Sequence, residues 1–217
     1  MQHITPKELA NNKDISILIV DIRESDKFKD WNINGSQNID VYNDIWEGNI
    51  DAVKQKLDGL PKNKKIVTVC NVGVTSEKAS VLLESLGYET AVLEKGMMGW
   101  NALHQAVDVI NENDLLIKQI IRPGKGCLSY LIGSNSKKEC FIVDPSQFVD
   151  EYTKLVKGLG FTIKGVIETH VHADHLSGAR LLANATKAKY YISKKDLKAK
   201  TDFVDLKNKN KIELTKN

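Results

Sequence analysis

Residues 66–76 read Ile-Val-Thr-Val-Cys-Asn-Val-Gly-Val-Thr-Ser, an apolar, β-branched run that leads into a loop with a cysteine and a glycine. A run of this length and composition is typical of a buried strand. The segment after it carries apolar side chains at helical spacing, and Gly87 stands where a helix ends. The apolar positions of that helical face are Ala79, Leu82, Leu83 and Leu86. The order of strand, loop and helix predicts a crossover unit whose strands lie parallel in one sheet.

The rest of the first half also alternates short strands and helices. We predict further strands at residues 15–20, 39–41 and 91–93. This alternation is typical of a doubly wound α/β fold, in which helices cover both faces of a parallel sheet. The sequence therefore predicts one such domain at residues 1–107.

The pattern changes after a polar stretch at residues 108–114, which we interpret as a linker. Beyond it, apolar runs predict strands at residues 115–121, 127–132, 141–143, 163–169 and 190–192, and helices at residues 148–159 and 177–185. Several strands come first and are joined by short turns. The sequence therefore predicts a second α/β domain over residues 115–217.

The composition excludes several classes of protein. The 217 residues are 41% hydrophobic, which is enough for buried cores. The formal charge is only +3 and three residues are arginine, which argues against a nucleic-acid reader. The longest strongly apolar run, residues 15–20, is far shorter than the roughly 20 residues of a membrane-spanning helix. Three cysteines without framework spacing exclude a disulfide scaffold. We therefore expect a cytoplasmic protein that binds neither nucleic acid nor membrane.

The first candidate reactive group is the thiol of Cys70. A tight loop between a strand and a helix directs backbone N–H groups inward, and these dipoles favour the thiolate form of a cysteine. The loop also lies at the carboxyl edge of the predicted sheet, where such folds bind ligands. The alternative is a buried structural cysteine. The predicted nucleophile is Cys70, and its loop comprises Asn71, Val72, Gly73, Val74, Thr75 and Ser76. The other two cysteines, Cys127 and Cys140, lie in predicted strands and are expected in the core.

A second candidate site follows the apolar strand at residues 163–169. Three imidazoles and one carboxylate lie within six residues there: His170, His172, Asp174 and His175. Alternate residues of an extended segment point the same way, so the first two histidines can share a ligand. Imidazole and carboxylate groups together suit zinc, iron or manganese. The sequence therefore predicts a metal site.

Residues 18–24 (LIVDIRE), 31–36 (WNINGS), 70–76 (CNVGVTS) and 95–100 (KGMMGW) resemble the rhodanese (sulfurtransferase) family. The resemblance implies a doubly wound α/β domain in which Cys70 accepts a sulfane sulfur and carries it as a persulfide. The family loop often ends in an arginine that holds an anionic donor such as thiosulfate, whereas this chain has Thr75 there. A hydroxyl carries no charge. We therefore expect a small-molecule or protein persulfide as the sulfur donor.

Residues 169–179 (THVHADHLSGA) resemble the metallo-β-lactamase superfamily and, within it, the persulfide dioxygenases. Residues 126–132 and 141–145 are similar to the opening strands of that superfamily. The resemblance implies a partial αββα fold and an Fe(II) or Zn(II) site that uses the motif histidines and aspartate with further ligands downstream. The dioxygenase members oxidise a thiol persulfide to sulfite with one iron. The hydrolase members use one or two zinc ions and a metal-bound hydroxide.

The resemblance implies a second αβ half that brings another histidine, and no histidine follows His175 in this sequence. We therefore expect residues 115–217 to form only the N-terminal half of such a domain, and the metal can be absent from this chain. A partner chain or a second copy would then cover the incomplete domain. The function we expect is persulfide transfer by Cys70, coupled to a metal-dependent, dioxygenase-like module. The alternatives are a sulfurtransferase or sulfur carrier with an inert metal module, a zinc-dependent thioester hydrolase, and a non-enzymatic persulfide-sensing scaffold.

Overall fold

The computed structural model describes residues 1–12, 16–173, 176–196, 202–207 and 211–213. The chain forms two compact units, Met1–Leu103 and His104–Asn217. Each unit contains its own β-sheet. Among the described residues, no helix is both long and apolar enough to cross a membrane.

The first unit is built on a five-stranded parallel sheet. Its strands are β1 (Gln2–Ile4), β2 (Ile17–Asp21), β3 (Gln37–Asn38), β4 (Lys65–Val69) and β5 (Thr90–Leu93). Its helices are α1 (Pro6–Asn11), α2 (Ser25–Asp30), α3 (Tyr42–Glu47), α4 (Ile50–Leu57), α5 (Val74–Ser85) and α6 (Gly96–Ala102). The strand order is β1-β5-β4-β2-β3, and every neighbouring pair is parallel. The predicted doubly wound parallel sheet is confirmed.

Strand β4 shows that the sheet is covered on both faces. Ile66 and Cys70 belong to one core, which contains buried side chains of α3, α4 and α5. Val67 and Val69 belong to a second core, which contains buried side chains of α1 and α6. Successive strand residues point to opposite faces. A strand that is apolar at every position is therefore stable only when helices pack on both sides of it.

The predicted strand at residues 39–41 is wrong. The strand at this place is β3, which pairs with the end of β2 at Val20 and Asp21. Val41 instead precedes α3 and is fully buried in the core with α4 and α5. Its β-branched side chain therefore serves core packing and not strand pairing.

A buried ion pair fixes the chain just after β2. Arg23 Nη2 lies 2.7 Å from Asp21 Oδ2, and neither side chain is more than 5% exposed. The same guanidinium nitrogen donates to the carbonyl oxygen of Trp31 at 2.7 Å. Buried charges are tolerated when they are paired and hydrogen-bonded. This pair therefore holds the segment that follows β2 against the segment around Trp31.

The second unit contains a seven-stranded mixed sheet. Its strands are β6 (Gln105–Glu112), β7 (Leu115–Arg122), β8 (Cys127–Ser134), β9 (Glu139–Val143), β10 (Thr162–Ile167), β11 (Lys189–Ile192) and β12 (Val204–Asp205), and its helices are α7 (Val149–Gly158) and α8 (Ala179–Thr186). Strands β6 to β9 are antiparallel neighbours, and β9 to β12 are parallel neighbours. Both helices pack into one core, in which Tyr152 and Leu182 join Leu131 and Ile142 of the sheet.

The predicted linker at residues 108–114 is wrong, and the division between the units falls at Leu103. Residues 108–112 lie in β6, which pairs with β7. Glu112 faces Leu115 in this ladder, so residues 113 and 114 form a two-residue hairpin turn. Asn113 has a φ of 52°, a left-handed conformation that asparagine adopts more readily than most residues. The polar residues of this stretch thus mark a turn and an exposed edge strand.

Candidate sulfur and metal sites

Cys70 directly follows β4, and its sulfur faces the first turn of α5. The backbone N–H of Gly73 donates a hydrogen bond to Cys70 Sγ at 3.1 Å. Gly73 has a φ of 106°, which glycine adopts without the steric penalty of a side chain. The sulfur therefore lies at the carboxyl edge of a parallel sheet and at the N-terminus of a 12-residue helix, where negative charge is favoured.

The sulfur is more enclosed than the sequence predicts. Cys70 is 1% exposed and belongs to the core beneath α3, α4 and α5. We expected several backbone amides to point at the sulfur, but among the described residues one donates a hydrogen bond to it, the N–H of Gly73. Three loop residues, Asn71, Val72 and Val74, are exposed to solvent. The other residues of the loop are buried.

The segment that begins α6 holds the Cys70 loop in place. The N–H of Met97 donates to the carbonyl oxygen of Cys70 at 2.8 Å, and the N–H of Met98 donates to that of Asn71 at 3.0 Å. A Cβ atom at Gly96 would lie 2.2 Å from the Cys70 carbonyl oxygen. Only glycine allows the two backbones to approach this closely.

The end of the loop is buried. Thr75 is 2% exposed, and its hydroxyl oxygen accepts a hydrogen bond from the indole N–H of Trp46 at 3.2 Å. Ser76 is fully buried, and its hydroxyl has no hydrogen-bond partner among the described residues. Buried hydroxyls are nearly always paired in folded proteins. The Ser76 hydroxyl, in the first turn of α5, is therefore a hydrogen-bond donor without a partner among the described residues.

Three potential metal-ligand atoms converge in the second unit. One atom each of Asp144, His170 and His172 lies within 4.8 Å of the other two. The rings of His170 and His172 have centroids 4.2 Å apart, and His172 Nε2 lies 3.2 Å from Asp144 Oδ1. Two imidazoles and one carboxylate form a donor set that zinc and iron accept. The predicted pair of histidines is therefore brought together, with a carboxylate that the sequence did not single out.

Asp144 also organises the histidine segment. Its carboxylate accepts hydrogen bonds from the N–H of Thr169 at 2.8 Å and from the Thr169 hydroxyl at 2.7 Å. The Asp144 carbonyl oxygen accepts from the Ser129 hydroxyl at 2.9 Å, and its N–H donates to Ile167 at 2.9 Å. A carboxylate with these bonds orients the imidazoles next to it.

A buried pair lies directly before the histidines. The hydroxyl of Tyr190, in β11, donates a hydrogen bond to Glu168 Oε2, and both residues are buried. Burial, followed by this hydrogen bond, raises the pKa of Tyr190 well above its ordinary value. The pair ties the end of β10, which leads into Thr169, to the neighbouring strand.

The remaining site predictions have mixed outcomes. Asp174 and His175 lie outside the described residues. Asp144 was missed, although it directly follows the apolar strand β9. The structure gives it a left-handed backbone with a φ of 50°. Of the two remaining cysteines, Cys140 is fully buried, as expected, and burial raises its pKa to about 12. Cys127 is only half-buried, because it begins β8 at a hairpin rather than inside the sheet.

Family models match both units. Residues 5–103 match the rhodanese-like domain, and residues 122–214 match the metallo-beta-lactamase superfamily. The chain is a rhodanese-like domain followed by a metallo-beta-lactamase domain. The predicted resemblance of the first half to the rhodanese family and of the second half to the metallo-beta-lactamase superfamily is confirmed. In the rhodanese-like domain the match includes Cys70, and in the metallo-beta-lactamase domain it includes Asp144, His170 and His172.

Curated relatives match parts of the chain. It is 33% identical over 69 residues to the mitochondrial persulfide dioxygenase ETHE1 of Bos taurus, which covers 31% of this chain and 27% of that protein. It is 32% identical over 85 residues to the probable polyketide biosynthesis zinc-dependent hydrolase BaeB of Bacillus velezensis, which covers 39% of this chain and 36% of that protein. The chain thus matches about a third or less of each of these relatives.

Solved structures match parts of the chain. The rhodanese-like domain protein of Staphylococcus aureus is 28% identical and aligns with a TM-score of 0.39 over 46% of this chain and 91% of that one.

Proposed function

We propose that the rhodanese-like domain transfers sulfane sulfur through a persulfide on Cys70. The observation that carries this proposal is the hydrogen bond from the Gly73 N–H to Cys70 Sγ at the N-terminus of α5. A donor at this place stabilises a thiolate and, after transfer, the negative charge of a persulfide. Thr75 supplies no fixed charge for an inorganic dianion, which favours an organic persulfide as the donor.

The transfer step balances without a further reactant. The Cys70 thiolate attacks the outer sulfur of a donor R–S–SH, and a new S–S bond forms as that of the donor breaks. The thiolate RS⁻ leaves and takes up the proton of the outer sulfur, so RSH is released and Cys70 carries an anionic persulfide. Delivery to an acceptor thiolate is the same exchange in reverse.

We further propose that the metallo-beta-lactamase domain holds a metal ion and acts on persulfides. His170, His172 and Asp144 would hold the ion, with Asp174 and His175 as further candidates of the same motif. A bound iron would supply the oxygen chemistry of a persulfide dioxygenase. The identity with ETHE1 supports this assignment. Placing both activities on one chain raises the effective concentration of the carried sulfur, to millimolar levels for a short connection.

Sulfur loading tests the first half of the proposal. The purified chain is incubated with a persulfide donor, and intact-protein mass spectrometry counts the sulfur atoms gained. Wild type should gain one sulfur, Cys70→Ser none, and the matched variant Cys140→Ser as much as wild type. Equal loading of wild type and Cys70→Ser would remove Cys70 from its role.

Metal analysis tests the second half. The chain purified from iron- and zinc-supplemented cells should contain a stoichiometric metal, and His172→Ala should lose most of it. The matched variant His3→Ala, in β1, should keep it. Content below about a tenth of an equivalent in wild type would leave a sulfur carrier with an inert second domain.

A hydrolase is the second candidate for that domain, because the match to a zinc-dependent hydrolase covers 39% of this chain. The two assignments differ in the metal they require. Stoichiometric zinc with thioester cleavage, and no consumption of dioxygen in the presence of a persulfide, would favour the hydrolase.

A further inference from the structure

Exposed apolar side chains and a lysine lie at the rim of the Cys70 loop. Val72 and Val74, within the loop, are 51% and 50% exposed. Trp46, in α3, is 53% exposed, although its indole N–H is bound to Thr75 of the same loop. A large aromatic side chain left half-exposed beside a reactive group is typical of a recognition residue.

Lys78 lies over the indole ring of that tryptophan. Its Nζ is 3.8 Å from the centroid of the Trp46 ring, within the range of a cation–π contact. Lys78 is exposed and stands three residues after Thr75 along α5. An exposed indole ring, hydrogen-bonded to Thr75, therefore lies beside the end of the loop, and the ammonium group of Lys78 stacks on it.

These groups match a particular kind of sulfur donor. An apolar rim disfavours a small, strongly hydrated dianion, because binding there would strip its water without replacing it. A donor with a carbon body can cover the indole and the two valines and bury apolar surface. A carboxylate on that body can pair with the ammonium of Lys78.

We infer that Trp46 and Lys78 determine donor specificity: they select a low-molecular-weight organic persulfide that carries a carboxylate. The apolar part of the donor packs on the indole of Trp46, and its carboxylate pairs with the ammonium group of Lys78. Thr75 is a positioning residue, since its hydroxyl oxygen accepts from the indole and holds that ring beside the loop. This inference rests on the proposed transfer of sulfur to Cys70.

A matched pair of donors tests it. Cysteine persulfide carries a carboxylate, and cysteamine persulfide is the same body without it. The rate of sulfur gain on Cys70 is measured with both donors by quenched-flow mass spectrometry. Wild type should prefer cysteine persulfide by about three- to tenfold, the range of an exposed ion pair assisted by a neighbouring ring.

Three variants show which side chain causes the preference for cysteine persulfide. Lys78→Gln should load from both donors at nearly equal rates. Trp46→Ala should slow both donors by a similar factor, whereas Trp46→Phe, which keeps a ring, should retain most of the rate. The matched control is Lys62→Gln, because Lys62 also stacks on a ring, that of Tyr88 at 3.4 Å, away from the loop. This control should keep the wild-type ratio.

The outcomes separate the two proposals. A wild-type ratio near one, or a ratio that Lys78→Gln leaves unchanged while Cys70 still loads, overturns the specificity assignment and leaves sulfur transfer standing. Failure of wild type to load from either donor overturns the transfer function and the inference with it.

Discussion

The backbone nitrogen of Gly73 lies 3.1 Å from the sulfur of Cys70 and donates a hydrogen bond to it. Two features make this contact available: β4 ends at the residue before the cysteine, and the left-handed backbone of Gly73 turns the chain into α5. Backbone hydrogen bonds from Met97 and Met98, at the start of α6, also hold the loop in place. Its geometry therefore depends on residues distant in sequence.

Gly96→Ala should disturb the Cys70 loop directly. Its Cβ would lie 2.2 Å from the Cys70 carbonyl oxygen, so one backbone must move. We expect a loss of about 2–4 kcal/mol in the free energy of unfolding and a fall in sulfur loading. The matched control is Gly35→Ala: Gly35 also has a positive φ, but no atom lies within 4 Å of its Cβ position. It should lose only about 1 kcal/mol and load normally. Equal losses in the two variants, measured by urea unfolding, would show that the close approach does not matter.

Tyr190→Phe should destabilise the second domain. The substitution leaves the buried carboxylate of Glu168 without the hydroxyl that donates to it. An unsatisfied buried acceptor costs about 1–3 kcal/mol. Tyr191→Phe is the matched change on the next residue, whose ring packs edge-on against Phe141. Thermal unfolding should show the larger shift for Tyr190→Phe, and the reverse order would contradict the importance of the Glu168 contact.

Because the Cys140 thiol is buried, we expect the free energy of unfolding to fall at alkaline pH. Burial raises its pKa from 9.0 to about 12, so the folded state keeps the proton while the unfolded state loses it. The contribution of this thiol is complete below pH 9 and is lost as the pH rises towards about 12, by about 1.4 kcal/mol per pH unit. Urea unfolding of wild type and Cys140→Ala at pH 7 and pH 10 measures this. The stability difference between the two proteins should shift in favour of the variant at pH 10, and a constant difference would be inconsistent with a buried neutral thiol.

Asp144→Asn should lower metal content with little effect on the backbone. Asparagine tolerates the left-handed conformation that Asp144 adopts, at a φ of 50°, but it carries no charge and offers one acceptor oxygen instead of two. We expect a 10- to 100-fold weaker metal affinity, measured by competition with a chelator. Asp144→Ala should add a backbone penalty of about 1 kcal/mol. Unchanged affinity in both variants would exclude Asp144 from the site.

The sequence predicted the strands and helices that are determined by residues close together in the chain. The apolar run before Cys70 forms β4. The helical face at Ala79, Leu82 and Leu83 belongs to α5, with Ala79 and Leu83 fully buried, and Leu86 caps the end of that helix. The helix starts at Val74, because the positive φ of Gly73 turns the chain directly before it. The hairpin at residues 113 and 114 was missed, because its polar residues are equally typical of a linker.

The candidate sites divide in the same way. Cys70, His170 and His172 could be selected from the sequence, because their chemistry and spacing lie within one short segment each. Asp144 reaches His172 across 28 positions, and Trp46 reaches Thr75 across 29. No local pattern encodes such contacts, since they arise only when two strands or two helices pack side by side.

The amino-acid sequence by itself determined which strand is buried on both faces, where the thiol and the imidazoles stand, and which two families the halves belong to. Burial preference, backbone propensity and ligand chemistry act over a few neighbouring residues, so a single stretch of chain records them. The tertiary structure alone decided what surrounds those groups: the glycine that clamps the thiol loop, the carboxylate that joins the imidazoles, and the indole beside Thr75. Those partners are chosen by the packing of whole elements, and packing free energy is shared among residues that lie far apart in the chain.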